Sequence, residues 1–195
     1  MSTALSIIRR EHRNLGALLS CLKALTMDLE SGEKQPDFRT FHGILTYIDS
    51  FLDRFHHPKE DTYLFPALRR RYPEAEAILA ELEEQHRRGF ALLNDLRRAL
   101  SEYEFVGAPA FERFRKAVLA YVKFEREHAR KEEHEVFPLA REHLQQEDWQ
   151  AVDEAFSANE DPLFGERRKK EFDALHKTIV NLAPAPYGVG PTWDS

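Results

Sequence analysis

The sequence predicts an all-α protein: an antiparallel up-down-up-down four-helix bundle of two repeated helical hairpins, followed by a C-terminal helical extension. Three observations predict it. Apolar residues recur at spacings of three and four, with no alternating run that reads as a strand. Cap and turn signals divide the chain up to about residue 143 into four long segments. The second pair of segments repeats the first.

Leu5, Ile8, Leu15, Leu18, Leu19, Leu22 and Leu25 trace one face of a helix from about residue 3 to 30, stopped by Ser31 and Gly32. Pro36 suits the first turn of a second helix, where its missing N–H costs nothing, and that helix runs towards Tyr72. Pro73 opens a third, through about Tyr103; Gly107 and Pro109 mark the turn into a fourth, ending near His143. Beyond it, Trp149, Val152 and Phe156 outline a short amphipathic helix over 147–157, and a further helix is expected over 166–182. The alternating prolines at Pro184 and Pro186 favour an extended end. The division is therefore a bundle over residues 1–145 and an extension over 146–195 packed on it. Three roles are open to that extension: covering the bundle, forming a homodimer contact, or closing a channel.

Composition excludes several classes. With 28 Lys and Arg against 34 Asp and Glu, the 195-residue chain carries a net charge of −6 and offers no electrostatic support for a nucleic-acid partner. No stretch approaches the roughly 20 apolar residues that span a bilayer, and the opening residues lack a signal peptide's apolar run, so a cytoplasmic protein without a membrane partner is expected. The single cysteine, Cys21, excludes an internal disulfide framework and a thiolate-rich metal cluster. Nucleophilic triads and phosphate loops find no match.

Nine histidines remain to be placed. Laying residues 51–66 over 123–138 sets His56 on His128, Lys59 on Lys131, Glu60 on Glu132, Asp61 on Glu133, and Phe65-Pro66 on Phe137-Pro138. The first and third helices align with His12-Arg13 over His86-Arg87. At ~1.5 Å per residue, the descent from His12 to Glu30 is about 27 Å and the climb from Pro36 to His56 about 30 Å. The second hairpin gives roughly 26 and 28 Å for His86 to Tyr103 and Pro109 to His128. Packed as a bundle, His12, His56, His86 and His128 share one layer. Glu60 and Glu132 each follow a histidine by four residues, on the same helix face. Imidazole and carboxylate donors without soft sulfur suit iron, and also zinc, nickel or manganese.

Other residues read differently. His42 lies ~21 Å from the layer and reads as core or rim packing; His134, His143 and His176 read as surface. Asp61 and Glu133, about 100° round from Glu60 and Glu132, suit supporting or solvent-facing roles. Pro58 interrupts the second helix between His56 and Glu60, which makes His57 with Asp61 a rival pair. His56 and Glu60 are preferred because the repeat has no histidine matching His57. Glu83-x-x-His86 and Glu125-x-x-His128 have the ferritin-like di-iron spacing and form a second competitor.

The segments FHHPKEDTYLFP (55–66) and EHARKEEHEVFP (127–138) resemble the paired motifs of the hemerythrin-type cation-binding family, a resemblance that covers roughly residues 5–143. It implies a non-haem di-iron centre, two iron ions held by His12, His56, Glu60, His86, His128 and Glu132. It also implies a small gaseous ligand, oxygen or nitric oxide, in sensing, storage or delivery. The alternatives are an enzyme reducing oxygen, peroxide or nitric oxide with outside electrons, and an iron donor to damaged iron centres. These imply a protein redox or iron-acceptor partner. The oxygen carriers of the family have a second histidine one turn along the third helix, where this sequence has Phe90. The resemblance thus implies fewer histidines here and an open position beside His86.

Overall fold

A computed structural model describes residues 3–158 and Asn181, and among them every regular element is helical. Helix α1 spans Thr3–Met27. A continuous helical run over residues 38–71, here α2, is assembled from the α-helix Phe38–Ile48, a π-helix Asp49–His56, one α-turn His57–Lys59, a second π-helix Glu60–Leu64 and the α-helix Phe65–Arg71. A 3₁₀ turn at Pro73–Ala75 leads into α3, Glu76–Val106. The run over 108–143, α4, joins Ala108–Lys131, a π-helix Glu132–Val136 and Phe137–His143. Helix α5 spans Gln146–Ser157. The helix expected over 166–182, the proline-rich end and His176 lie outside the described residues.

Local chemistry sets these boundaries. Helix α2 begins at Phe38, two residues later than Pro36 suggests, because the Asp37 carboxylate accepts the Thr40 N–H at 3.2 Å and so caps the first turn. Gly107, with φ of 79°, ends α3 in a conformation that a side chain would strain. Helix α5 opens with a capping box in which Gln145 and Asp148 exchange side-chain and backbone bonds. The first turn of α1 is satisfied from a distance: Asp153 Oδ1 on α5 accepts the Ala4 N–H at 2.7 Å.

The three π-helices share a cause. Each closes on an i→i−5 bond made by the residue just before a proline: His57 N–H to Leu52, Phe65 N–H to Glu60, and Phe137 N–H to Glu132. Pro58, Pro66 and Pro138 lack an N–H, and their rings crowd the preceding turn; a widened turn relieves that crowding without breaking the helix. At Pro58 the helix expected to kink is carried through by the π segment that ends just before it.

Side chains bury in two apolar cores. One gathers Leu18, Leu22, Phe41, Ile44, Ile48, Leu93, Leu96, Leu100, Phe114 and Tyr121; the other gathers Leu5, Ile8, Leu64, Leu68, Leu79, Leu82, Val136, Phe137, Val152 and Phe156. Each of the four long helices contributes to both. Between its two contributions each carries the histidine or glutamate residues singled out from the sequence, so the polar layer is sandwiched between hydrocarbon on either side. Phe114 is fully buried, edge-on to Phe41 at 5.2 Å and stacked on Tyr103 at 5.6 Å, in the first core. Truncating it in Phe114→Ala should cost about 3–5 kcal/mol in chemical denaturation. Metal content per folded chain should be unchanged, because that core is separate from the polar layer.

Candidate metal centre

The π-helices place the glutamates. Glu60 and Glu132 are each the first residue of a π segment, so the widened turn begins where a carboxylate must reach inward. Both are fully buried. Around them, two sets of potential ligand atoms each lie within 4.8 Å of one another: His12, His56, Glu60 and Glu132 form the first, and His57, Glu60, His86 and His128 the second. All six residues expected from the sequence are brought together, with Glu60 common to both sets.

His57 is an addition. The choice between His56–Glu60 and His57–Asp61 dissolves, because the two adjacent imidazoles diverge to different sets. Glu60 lies four residues after His56 and three after His57, both same-face spacings, so one carboxylate serves both. The position beside His86, left without a donor by Phe90, is taken by His57, whose ring stacks on that of His86 at 4.1 Å and 13°. The expectation of a vacancy there and of fewer histidines is corrected accordingly. Phe90 is half exposed in the wall of a surface cleft.

Four of the five histidines are oriented by a hydrogen bond from the ring nitrogen that faces away from the centre. His12 Nδ1 donates to Glu133 Oε1 at 2.9 Å, His56 Nδ1 to Glu11 Oε2 at 2.8 Å, His86 Nδ1 to Asp61 Oδ1 at 2.9 Å, and His128 Nδ1 to Gln85 Oε1 at 3.1 Å. These bonds fix the tautomer and turn each Nε2 inward, the arrangement by which proteins orient metal-binding imidazoles. Asp61 and Glu133 thus fill the supporting role expected of them. Glu11 and Gln85 were not legible as partners, although each immediately precedes the histidine of its own helix, at matching positions of the repeat.

The inward side is short of protons. Both oxygens of Glu60 and of Glu132, with Nε2 of His86 and His128, are buried and make no hydrogen bond. Imidazole nitrogens approach the carboxylates at 3.2 Å from His56 Nε2 to Glu60 Oε1, 3.3 Å from His12 Nε2 to Glu132 Oε2, and 3.5 Å from His86 Nε2 to Glu60 Oε2. The Nε2 atoms of His12 and His56 face each other at 3.2 Å. Lone pairs converging on one another in a dry interior are costly unless a cation satisfies them. A pair of divalent ions held by imidazole nitrogen and carboxylate oxygen fits this donor set.

Titration in the metal-free state follows the same geometry. Burial, then the neighbouring charge of Glu132, raises Glu60 to about 8. Burial works the same way on Glu132, but the close approach and charge of His12, 3.3 Å away, outweigh it and hold it at about 2. Burial opposes charge on His12, yet Glu132 and Glu133 raise it to about 9; burial likewise opposes charge on His56, which Glu60 and Glu11 raise well above its ordinary value. His86 is pushed well below its ordinary value, and His128 to about 3, first by burial and then by His57. Protons on His12 and His56 therefore stand in for a cation in one half of the centre, and the other half stays neutral.

Of the remaining candidates, His42 pairs with Glu104 at 2.7 Å on the exposed rim, and His143 stacks on Tyr72 at 4.0 Å. The ferritin-like spacing is not used: Glu83 is engaged by Arg69 at 3.0 Å, and Glu125, though buried, lies outside both donor sets. Gly89 admits it, since a Cβ there would come within 3.1 Å of Glu125 Oε1.

Among known proteins, residues 3–140 match the model of the hemerythrin HHE cation-binding domain. Uncharacterized proteins of Mycobacterium bovis and of two strains of Mycobacterium tuberculosis are each 25% identical over 164 residues, 84% of this chain and 64% of the relative. The chain thus spans a little under two-thirds of the length of these curated relatives. No solved structure matches. A match over most of the chain, on the residues that build both donor sets, places this protein in the hemerythrin HHE cation-binding family.

Proposed function

We propose that this chain is a cytoplasmic non-haem di-iron protein that binds oxygen or nitric oxide, serving in sensing, storage or delivery. The observation that carries this reading is the pair of donor sets sharing Glu60, which asks for two metals in one cavity. The four long helices would form an antiparallel up-down-up-down bundle over residues 1–145, with residues 146–195 as an extension. That topology is supported by the order of burial. Along α1 and α3 the chain passes from the second core to the first, and along α2 and α4 from the first to the second.

His12, His56, Glu60 and Glu132 would hold one iron, and His57, His86, His128 and Glu60 the other. Iron, when bound, supplies reversible binding of diatomic gases and one-electron chemistry. The protein's part is to fix the donors, exclude bulk water and leave a position open. Each set has four donors, two imidazoles in the first and three in the second, and the open position is proposed at the metal of His12 and His56, the set with fewer imidazoles. A cleft of about 280 Å³ reaches His12 between Leu15, Gly16, Leu19 and Ala129.

A second reading has one observation in its favour. The cleft over His57 and His86, lined also by Asp61, Arg87, Phe90 and Arg97, is about 560 Å³ and far exceeds a diatomic molecule. It suits an enzyme in which a reductant or a protein redox partner feeds the centre.

Protein purified from iron-replete cells should contain about two irons per chain, and His56→Ala/His128→Ala should lose both; full retention by that variant would sink the assignment. His57→Ala should lose one metal in preference to the other, with the loss read by metal analysis. Spectra of the reduced protein that change reversibly with oxygen or nitric oxide support binding, whereas sustained consumption with added reductant supports the enzyme. Metal uptake near pH 7 should expel protons, including those of His12 and Glu60, whose folded pKa values of about 9 and about 8 lie above that pH. Affinity should therefore rise with pH from about 7 through about 9, as Glu60 and then His12 lose their protons. Calorimetry in buffers of different ionisation enthalpy would read the proton count, and none released would contradict the assignment of these ligands.

A further inference from the structure

Helix α5 lies beyond the matched family region, yet its last turn reaches the centre. Phe156 is fully buried with its ring 6.4 Å from that of His56, edge-on at 80°, while Phe51 stands 6.3 Å from the same imidazole. Beside it the Lys59 ammonium donates to the Ala155 carbonyl at 2.8 Å. The His56 imidazole itself donates from Nδ1 to Glu11 Oε2 at 2.8 Å. Helix α5 is therefore tied through Lys59 to the helix that carries His56, and its Phe156 packs against that ring. Two further anchors hold α5 down: Asp153 accepts the Ala4 N–H at 2.7 Å, and Asp148 accepts from Arg71 Nε at 2.6 Å and Arg70 Nη2 at 3.3 Å. The imidazole that α5 covers belongs to the set of His12, His56, Glu60 and Glu132. His57 and His86 of the other set instead line the larger surface cleft.

We propose that α5 seals the His56 side of the centre: Phe156, on a helix anchored through Lys59, holds the His56 ring in its ligating orientation and so slows loss of the metal there. The proposal rests on the di-metal reading above, and it makes the two metals kinetically unequal. Phe156 acts here as a positioning residue; it supplies no donor atom. A ring packed against an imidazole restricts its rotation and keeps water from competing for the metal, and loss of such outer support typically weakens metal retention by about 10–100-fold.

The test uses the full chain, loaded anaerobically with ferrous iron, its stoichiometry recorded, and then challenged with an excess of a strong ferrous chelator. Release from the unaltered chain should be biphasic. Phe156→Ala should accelerate one of the two phases by about tenfold or more and leave the other unchanged. Phe156→Leu, which restores most of the bulk, should return that phase towards the original rate. Val152→Ala removes packing from the same helix without touching His56 and serves as the control. Equal acceleration by Phe156→Ala and Val152→Ala, acceleration of both phases together, or no change would overturn the proposal. Should Phe156→Ala fail to fold by circular dichroism, Lys59→Met removes the anchor to Ala155 without opening a cavity. Faster loss of a single metal is again expected, and an unchanged rate again overturns the seal. An unaltered chain that takes up no metal would instead defeat the di-metal reading itself, which the stoichiometry reports before any release is followed.

Discussion

The burial of two carboxylates in one cavity is the constraint on which the rest of this structure depends. Glu60 and Glu132 have no exposed surface and sit between two hydrocarbon cores, where an unpaired charge is expensive and two like charges more so. The divergence of their titration, one up to about 8 and the other down to about 2, is the signature of that conflict in the absence of metal. The surrounding imidazoles resolve it in either state. Protonated, His12 and His56 offset the carboxylates; deprotonated, they offer lone pairs to a cation. A folded chain that tolerates both states can assemble before it is loaded, and the loaded state then gains stability by mass action.

The same constraint explains the backbone. A regular α-helix would carry each glutamate through the layer at a fixed pitch, and a proline six residues after it would break the ladder. Beginning a π turn at each glutamate and ending it at the phenylalanine before the proline reconciles the two demands. Because this device occurs at matching places in both hairpins, it belongs to the repeat. His57 does not, since the repeat has Ala129 there. One hairpin therefore brings an extra imidazole, and a centre built from duplicated parts is unequal.

Much of this was legible in the chain. Four long helices follow from periodicity and from Gly107, Pro73 and Pro109, and the six ligand candidates follow from the repeat and from level-matching, because histidine and glutamate spacing on a helix is fixed by its rise. Four things were not legible. Start and stop signals fall on Pro36 and Asp37 alike, and only the hydrogen bond to Thr40 selects Asp37. The π turns depend on where the inward glutamates must point, a tertiary demand that propensity does not register. His57 escaped because the repeat was used as a filter: a residue without a counterpart was set aside, whereas the asymmetry was itself the signal. Glu11 and Gln85 act across helices, and sequence spacing carries no information about such a partner.

Those cross-helix bonds have a further property. Glu11 on α1 holds His56 on α2, Asp61 on α2 holds His86 on α3, Gln85 on α3 holds His128 on α4, and Glu133 on α4 holds His12 on α1. The circuit closes, so each imidazole is oriented by a neighbouring helix and a shift of any one helix displaces a ligand carried by the next. Metal retention and helix packing are consequently the same equilibrium seen from two sides. The circuit is also uneven in charge, since three of its acceptors are carboxylates and Gln85 is neutral. A carboxylate makes the imidazole it holds a stronger donor. The half with only two imidazoles has both supported by carboxylates, while the half with three includes His128, supported by an amide. The two donor sets, each of four residues, thus differ in how many imidazoles they hold and in how strongly those imidazoles are supported.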